Sequence, residues 1–287
     1  MSGPVTSWRR SLKARALFNS LQLAAEHPSA LRRLLIFLAI VTLLSALISL
    51  PLAAATPFTW WNAFRRCVSV SAALALLLLI AKDRRRLQAM GLGPWRRGWR
   101  MALFGVALSL VTAGVLQIIY LSAGVSIISI DPNRARIVRT VLGFLPGAVL
   151  VSVLEELIFR GYVLQQLLAY SQRIAVWGSS AAFAIVHYRP NLTWLQNGFE
   201  VFGLAMVGWL LAHSTLRTRQ LYLAIGLHAG FAYWARTSKL FIETSPQPLT
   251  WLVGSTRLVN GVAAWVALIV VCWWICRPVD EAGRSAS

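Results

Sequence analysis

Acidic residues are scarce in this sequence, and charged residues of either sign are few. Only nine of its 287 residues are Asp or Glu, and charged residues make up 13% of the chain against 57% hydrophobic residues. A soluble domain of this length could not have that composition without exposing apolar surface to water. The shortage of charge therefore excludes an ordinary soluble protein and indicates a membrane protein.

Cysteines and polar linkers are also lacking. The three cysteines, Cys67, Cys272 and Cys276, are odd in number and lie in or beside apolar runs. This pattern excludes a disulfide framework, and we interpret them as packing residues. The sequence has no internal repeat, low-complexity tract or long polar linker, which predicts a single domain.

Basic residues are abundant by contrast, and they give a formal net charge of +19. They cluster between apolar runs, as cytoplasmic loops beside anionic lipid do, so we expect anionic lipid as a partner and no nucleic acid. The two strongest clusters are Arg9, Arg10, Lys13, Arg15, Arg32 and Arg33, and then Lys82, Arg84, Arg85, Arg86, Arg96, Arg97 and Arg100.

Apolar stretches of the length needed to span a membrane, roughly 20 residues, recur along the chain. They predict an all-α, polytopic integral membrane helical bundle of about eight transmembrane helices. The fifth to seventh stretches are short, and short helices at membrane depth are tolerated where they line a protein-enclosed cavity. The eight stretches are 34–55, 62–81, 101–123, 138–168, 174–187, 199–213, 221–234 and 258–276.

The distribution of positive charge predicts the orientation. Eight crossings place both termini on one side, and the positive-inside rule makes that side the cytoplasm, so the topology is N-in and C-in. We expect a basic cytoplasmic leader at 1–33, in which 8–23 has the mixed pattern of an amphipathic helix. A single transmembrane domain at 34–276 and a cytoplasmic tail at 277–287 follow, in a protein of a bacterial cytoplasmic membrane.

Two adjacent glutamates, Glu155 and Glu156, lie inside the fourth stretch. An ionised side chain at mid-membrane costs on the order of 2.5 to 3.5 kcal/mol on insertion scales, so the pair needs partners, protonation or water. Glu156 and Arg160 are four residues apart, within ion-pair reach on one helical face. Glu155 is rotated about 100° from Glu156, and we therefore expect the two carboxylates to differ in environment.

Two histidines also fall in apolar helices, His187 at the end of the fifth stretch and His228 in the seventh. Buried polar groups need one another, so two histidines, two glutamates and an arginine in the same half of the chain predict a shared intramembrane site. His27 and His213 are interpreted as interfacial. Glu200 is interpreted as a helix-start acid favoured by the helix dipole, with support of the site as the alternative.

The segments EELIFRG, FAIVH and GLHAG, in this order and each in a hydrophobic stretch, resemble the motifs of the CPBP family of intramembrane endopeptidases. This family, also called ABI, includes CAAX prenyl proteases and bacteriocin-processing or immunity proteins. The resemblance covers roughly 141–234 and implies that Phe183 belongs to the second motif with His187.

The resemblance also implies roles for the site residues. Glu155 would be the general base, with His187 orienting the attacking water. Glu156, paired with Arg160, would fix the geometry, and His228 would stabilise the oxyanion. The family's third motif often has Asn or Asp four residues after its histidine, whereas this sequence has Ala232, which leaves that part of the oxyanion hole unexplained.

A metal is the open question about this site. Glu155, His187 and His228 could form a three-ligand zinc site with a position open for water. No HExxH motif supports a metalloprotease, so we expect no cofactor and keep a divalent metal such as zinc as the alternative.

The sequence therefore favours an intramembrane endopeptidase that hydrolyses a peptide bond of a membrane-associated protein or peptide. Ala232 motivates an alternative, a catalytically weak or inactive relative that acts as a membrane scaffold or immunity protein. Buried Glu, His and Arg side chains also form relays in ion-coupled transporters, but the absence of inverted repeats makes that function less favoured.

Overall fold

The fold is described by a computed structural model for residues 27–57, 59–83, 87–189, 192–244 and 258–277. The predicted amphipathic segment at 8–23 lies outside these residues, as does the tail beyond residue 277. Within the described ranges the chain is mostly helical.

A helix forms at each of the eight apolar stretches, because every stretch can satisfy its backbone hydrogen bonds internally only as a helix in an apolar medium. The helices are α1 His27–Ala55, α2 Trp60–Asp83, α3 Trp95–Ser122, α4 Arg134–Glu156, α5 Leu164–Leu167, α6 Gln172–Ile185, α7 Trp194–Thr218, α8 Tyr222–Thr237 and α9 Val262–Cys276. A π-helical segment, Leu157–Val163, joins α4 to α5 without a break, and 3-10 turns lie at Leu87–Met90, Ser238–Leu240 and Leu258–Asn260.

Four helical segments are long and apolar enough to cross a membrane: Ser29–Ala55, Gly98–Ser122, Arg134–Leu167 and Trp194–Thr218. Two shorter apolar helices, Cys67–Ala81 and Val262–Cys276, accompany them. These segments agree with the helical membrane class that the composition predicts.

The prediction that three consecutive helices are short is correct for α6 and α8 but wrong for α7. The 14 residues of α6 and the 16 of α8 span about 21 and 24 Å at 1.5 Å per residue, less than a hydrocarbon core of about 30 Å. Helix α7 has 25 residues because Thr193 and Gln196 form a capping box before the apolar run. At its other end the hydroxyl of Thr218 bonds to the carbonyl of Ser214 within the helix.

The all-α prediction also needs a small correction. Residues Ser126–Ile128 (β1) pair in antiparallel fashion with Ile242–Thr244 (β2), with Ser126 opposite Thr244. These strands follow α3 and α8 respectively. The pair thus ties together the ends of two helices that also pack side by side.

Helices α3 and α8 pack closely because small residues meet at their interface. A Cβ added at Gly226 would lie 2.0 Å from the carbonyl oxygen of Ala102, and one added at Gly105 would lie 2.6 Å from that of Leu223. Lipid supplies no hydrophobic driving force between helices, so close backbone approach through small residues is a main source of their association. This interface fixes the position of α8, which carries His228.

Several hydrogen bonds bring the ends of different helices together at one end of the bundle. The hydroxyl of Tyr162 donates to the carbonyl of Arg33, and the backbone N–H of Leu221 donates to that of Gly91. Arg217 at the end of α7 donates to the carbonyl of Arg277 after α9. The start of α1, the loop before α3 and the ends of α7 and α9 therefore lie at the same end as α5.

We expect Gly226→Ala to separate α3 from α8, because its methyl group would collide with the Ala102 backbone rather than with a mobile side chain. Overpacking of this kind costs about 1 to 3 kcal/mol, so the midpoint of thermal unfolding in detergent should fall markedly. Gly114→Ala in α3 is the control, because a Cβ there meets nothing within 4 Å. Equal midpoints for the two variants would contradict the packing described here.

Candidate active site

The five predicted site residues come together from three elements, and the segment with Glu155, Glu156 and Arg160 changes helix type between the glutamates and the arginine. The α4 helix ends at Glu156, and the π-helical segment that follows contains Arg160. π-Helical turns are rare and occur frequently at functional sites. Within this segment Gly161 approaches Met90, to which an added Cβ would lie within 3.3 Å, so the loop before α3 packs directly beneath the site.

Glu156 is the centre of a fully buried charged cluster. Its Oε1 accepts from Arg160 Nη1 at 2.8 Å and lies 2.8 Å from His228 Nδ1. The side chains of Glu156 and Arg160 have no exposed surface, and that of His228 is 9% exposed. The prediction that Glu156 pairs with Arg160 is confirmed, and the cluster also connects α4 to α8.

Arg160 extends this cluster to α6 and α7. Its Nη2 donates to the carbonyl of Gly208 at 3.1 Å, and its guanidinium carbon lies 4.8 Å from the ring centre of Phe183. The missing side chain of Gly208 lets α7 approach α6 closely, since a Cβ there would lie 2.9 Å from the Cα of Ser180. Arg160 thus holds three helices around one buried carboxylate.

Glu155 has a different environment from Glu156, as its position on the helix predicts. Its Oε2 lies 3.9 Å from His187 Nε2 and 3.7 Å from His228 Nε2, and its side chain is 12% exposed. Both separations are too long for a direct hydrogen bond. Polar atoms at such distances can be bridged by a water molecule, and three of them face one position here.

His187 lies just beyond α6 rather than inside it, because the helix ends at Ile185 and His187 occupies the turn that follows. Its Nδ1 is 2.8 Å from the carbonyl oxygen of Phe183. A carbonyl can only accept, so Nδ1 carries the proton and a neutral His187 presents Nε2 as an acceptor toward Glu155.

The loop after His187 is held by the ion pair of Arg189 with Glu200, here called the Arg189–Glu200 clasp, and by bonds from Asn197. The sequence did not predict these contacts. Arg189 donates through Nε to Glu200 Oε2 at 3.1 Å, and the Asn197 amide donates to the carbonyls of Arg189 and Leu192. Glu200 is 1% exposed and lies in the second turn of α7, so its interpretation as a helix-start acid is wrong. The sequence held little signal for this pair, because Arg189 and Glu200 are eleven residues apart and lie on different elements.

The predicted zinc ligands do not form a metal site as they stand. Tetrahedral ligands at about 2.0 to 2.1 Å from zinc lie roughly 3.4 Å from one another, closer than Glu155 is to either His187 or His228. In the part of the chain that the structure describes, no group of three or more His, Cys, Asp or Glu side chains could hold a metal ion. We therefore derive no catalytic step through a metal.

Two other histidines lie away from this site. His213 is within α7 rather than at its end, with its Nδ1 2.9 Å from the carbonyl of Trp209. It lines a separate cavity of about 370 Å³ with Gln172, Arg173 and Trp177. His27 is the first residue of α1.

A comparison with known families finds a match in the segment that carries these residues. The family model described as Type II CAAX prenyl endopeptidase Rce1-like matches residues 137–234. This segment is similar to the CAAX prenyl endopeptidases. The CPBP resemblance inferred from the three motifs is thereby confirmed, and the match points to a protease. No curated protein and no solved structure matches the chain.

The Rce1-like segment contains all five predicted site residues, from Glu155 to His228. It also contains Gly208, Phe183 and the Arg189–Glu200 clasp. These supporting residues therefore lie within the same matched segment as the site itself, whereas the loop before α3 and α3 itself lie outside it.

We expect Arg160→Met to destabilise the protein by about 3 to 5 kcal/mol, because it leaves Glu156 as a buried charge without its guanidinium. The double variant Glu156→Gln with Arg160→Met removes both charges and should recover much of that loss. Thermal unfolding in detergent measures both.

Arg136→Met is the matched control for this experiment. Arg136 pairs with Asp131 outside the buried core, with 58% of the Arg136 side chain exposed, so its loss should cost less than about 1 kcal/mol. A double variant no more stable than Arg160→Met would contradict the coupling between the two buried charges.

Proposed function

We propose that this protein is an intramembrane endopeptidase that hydrolyses a peptide bond of a membrane-associated protein or peptide with a water activated by glutamate and histidine. The observation that carries the proposal is the convergence of Glu155 Oε2 with the Nε2 atoms of His187 and His228 across 3.9 and 3.7 Å. These separations are too long for direct hydrogen bonds, and a water that contacts the carboxylate and the two imidazoles would link them. The Rce1-like match supports a protease rather than another use of buried carboxylates.

The catalytic step begins with this water. Glu155 accepts one of its protons as the water oxygen bonds to the carbonyl carbon of the scissile amide, and the carbonyl electron pair moves onto oxygen. His187 accepts a hydrogen bond from the same water through Nε2 and thereby orients it. As the tetrahedral intermediate collapses, the C–N bond breaks and Glu155 returns the proton to the leaving nitrogen, which gives a carboxylic acid and an amine.

Glu156 and Arg160 position His228 for the second part of the reaction. The Glu156 carboxylate holds His228 through Nδ1, so Nε2 points toward Glu155 and the reacting carbonyl. When His228 carries a proton on Nε2, Glu156 and Glu155 together balance the charges of His228 and Arg160. His228 then donates to the developing oxyanion in a nearly dry site, where such a bond is strongest.

The position of Glu155 along its helix supports cleavage within the membrane. Twelve residues separate Glu155 from Leu167 at the end of α5, which is roughly 18 Å at 1.5 Å per residue. The end of the bundle near α5 also carries the basic segments, so we place it in the cytoplasm. Access from that side fits eight crossings with both termini inside, with α6 and α8 as short crossings that line the site.

The substrate is a membrane-associated polypeptide, which the buried position of the site favours over a soluble one. Anionic lipid at the basic end of the bundle would anchor the protein, and we expect no nucleic-acid partner. We propose a bacterial cytoplasmic membrane as its location, which the basic clusters between the apolar stretches favour. A prenylated CAAX tail, a bacteriocin leader and a transmembrane fragment are the candidate substrates.

Glu155→Gln should abolish cleavage while leaving the fold intact, because the amide can still accept a hydrogen bond but cannot take a proton. The assay uses purified protein in proteoliposomes with two probes, a farnesylated CAAX peptide and a single-span transmembrane peptide, and mass spectrometry of the products. Glu243→Gln is the control, since Glu243 is an exposed acid on β2.

Two results would count against this mechanism. Equal cleavage by wild type and Glu155→Gln would remove Glu155 from its role. Absence of cleavage by the wild type, together with unchanged cellular function of His187→Ala and His228→Ala, would favour the scaffold or immunity function that Ala232 motivates.

Metal removal tests the choice between glutamate and metal catalysis. The wide spacing of Glu155, His187 and His228 supports the glutamate form, so prolonged treatment with a chelator should leave the cleavage rate unchanged. Elemental analysis of the purified protein is the second readout. Stoichiometric zinc that is lost in His187→Ala together with activity would establish the metal form instead.

A further inference from the structure

Ser152 is a buried polar residue that the mechanism above does not use. Together with Ala148 and Glu156 it forms the buried stripe of α4, one turn before the glutamates. Its side chain has no exposed surface, and among the described residues its hydroxyl has no hydrogen-bond partner. A polar group buried without a partner is costly, so this hydroxyl needs an explanation.

Most other buried helical serines among the described residues bond within their own helix, and Ser71 is the exception. Ser45, Ser180 and Ser214 each donate to a carbonyl three or four residues earlier in their own helix. This local bond is the usual way for a helical serine to satisfy itself in an apolar environment. The Ser152 hydroxyl lacks such a bond, so it remains available to a group that enters the site.

The packing of α4 against α8 shows what lies opposite Ser152. Glu156 bonds to His228, and nearer the start of α4 the carbonyl of Val141 accepts from Tyr233, so the two helices run antiparallel. One turn back along α4 from Glu156 therefore corresponds to one turn forward along α8 from His228. These positions are Ser152 and Ala232, and Ala232 has no polar side chain that could satisfy the hydroxyl.

We infer that the Ser152 hydroxyl is a second oxyanion donor, which acts with His228 on the carbonyl oxygen of the scissile amide. This inference rests on the proposed endopeptidase function. Ser152 is three residues from Glu155 and four from Glu156, so it is a surface neighbour of both on the helix. In this arrangement α4 supplies the hydrogen-bond donor through Ser152, because the corresponding residue of α8, Ala232, has no polar side chain.

The chemistry requires a donor of this kind. The oxyanion forms next to two carboxylates, and a single imidazole must otherwise stabilise it against their negative charge. A neutral hydroxyl that already lies in the dry interior can donate without desolvation at the moment of reaction. This bond stabilises the oxyanion more than it stabilises the ground-state carbonyl. Loss of the hydroxyl should therefore lower kcat and leave KM unchanged.

Ser152→Ala tests the inference on whichever of the two probes, the farnesylated CAAX peptide or the transmembrane peptide, the wild type cleaves faster. Loss of one oxyanion donor lowers kcat by about 10² to 10³, and we expect that decrease with KM and the thermal midpoint unchanged. Ser45→Ala, which removes a buried serine bonded within its own helix, should retain wild-type kcat. Adding Ala232→Asn to Ser152→Ala supplies a new donor from α8. The kcat of this double variant should be at least about tenfold higher than that of Ser152→Ala.

The outcomes separate this inference from the proposed function. Wild-type kcat in Ser152→Ala, with activity abolished in Glu155→Gln, overturns the role of Ser152 and leaves the endopeptidase intact. No cleavage of either probe by the wild type overturns both. A raised KM at unchanged kcat would make Ser152 a substrate-binding residue and also overturn the inference. If Ser152→Ala fails to fold, Ser152→Cys keeps the volume with a weaker donor and must lower kcat for the inference to stand.

Discussion

The buried carboxylate of Glu156 is the interaction on which the rest of the site depends. A charge without exposed surface must be neutralised locally, and here Arg160 and His228 both contact the same oxygen. Both partners connect Glu156 to other helices. His228 belongs to α8, and Arg160 contacts α7 through the carbonyl of Gly208 and α6 through the ring of Phe183. Replacing the ion pair by apolar residues could give an equally stable bundle, so we attribute its presence to the placement of His228 and Glu155 rather than to stability.

Close backbone contact is the second constraint, and it makes the first one possible. The bond from Arg160 to α7 requires that Gly208 lie against Ser180, and the place of His228 requires that Gly226 lie against Ala102. In a lipid environment such contacts supply much of the association between helices. Glycines and charged residues therefore act together, because the glycines set the distances at which the buried charges can meet.

The sequence predicted the features that follow from local periodicity and from the cost of burying charge. The eight helices, the Glu156 pair with Arg160 and the separate environment of Glu155 depend on spacing along one helix, which the sequence contains directly. The π-helical turn, the β1–β2 pair and the bond of Glu200 to Arg189 depend on which helices become neighbours. The predicted sixth stretch ends at residue 213, before the polar residues 214–220, but hydroxyl groups that bond to their own helix allow α7 to continue to Thr218.

The absence of a polar residue at Ala232 shows why a motif and a site are different things. A motif is defined by residues at fixed spacings on one helix. An oxyanion, in contrast, is stabilised by any donor at the right position in space, whichever helix carries it. In this bundle α4 runs antiparallel to α8, so the turn before Glu156 faces the turn after His228. A donor lost from one helix can therefore be supplied by the other without any change in the helix packing. Ser152 occupies that turn of α4 with its hydroxyl unbonded among the residues that the structure describes, and the sequence of α8 contains no sign of it.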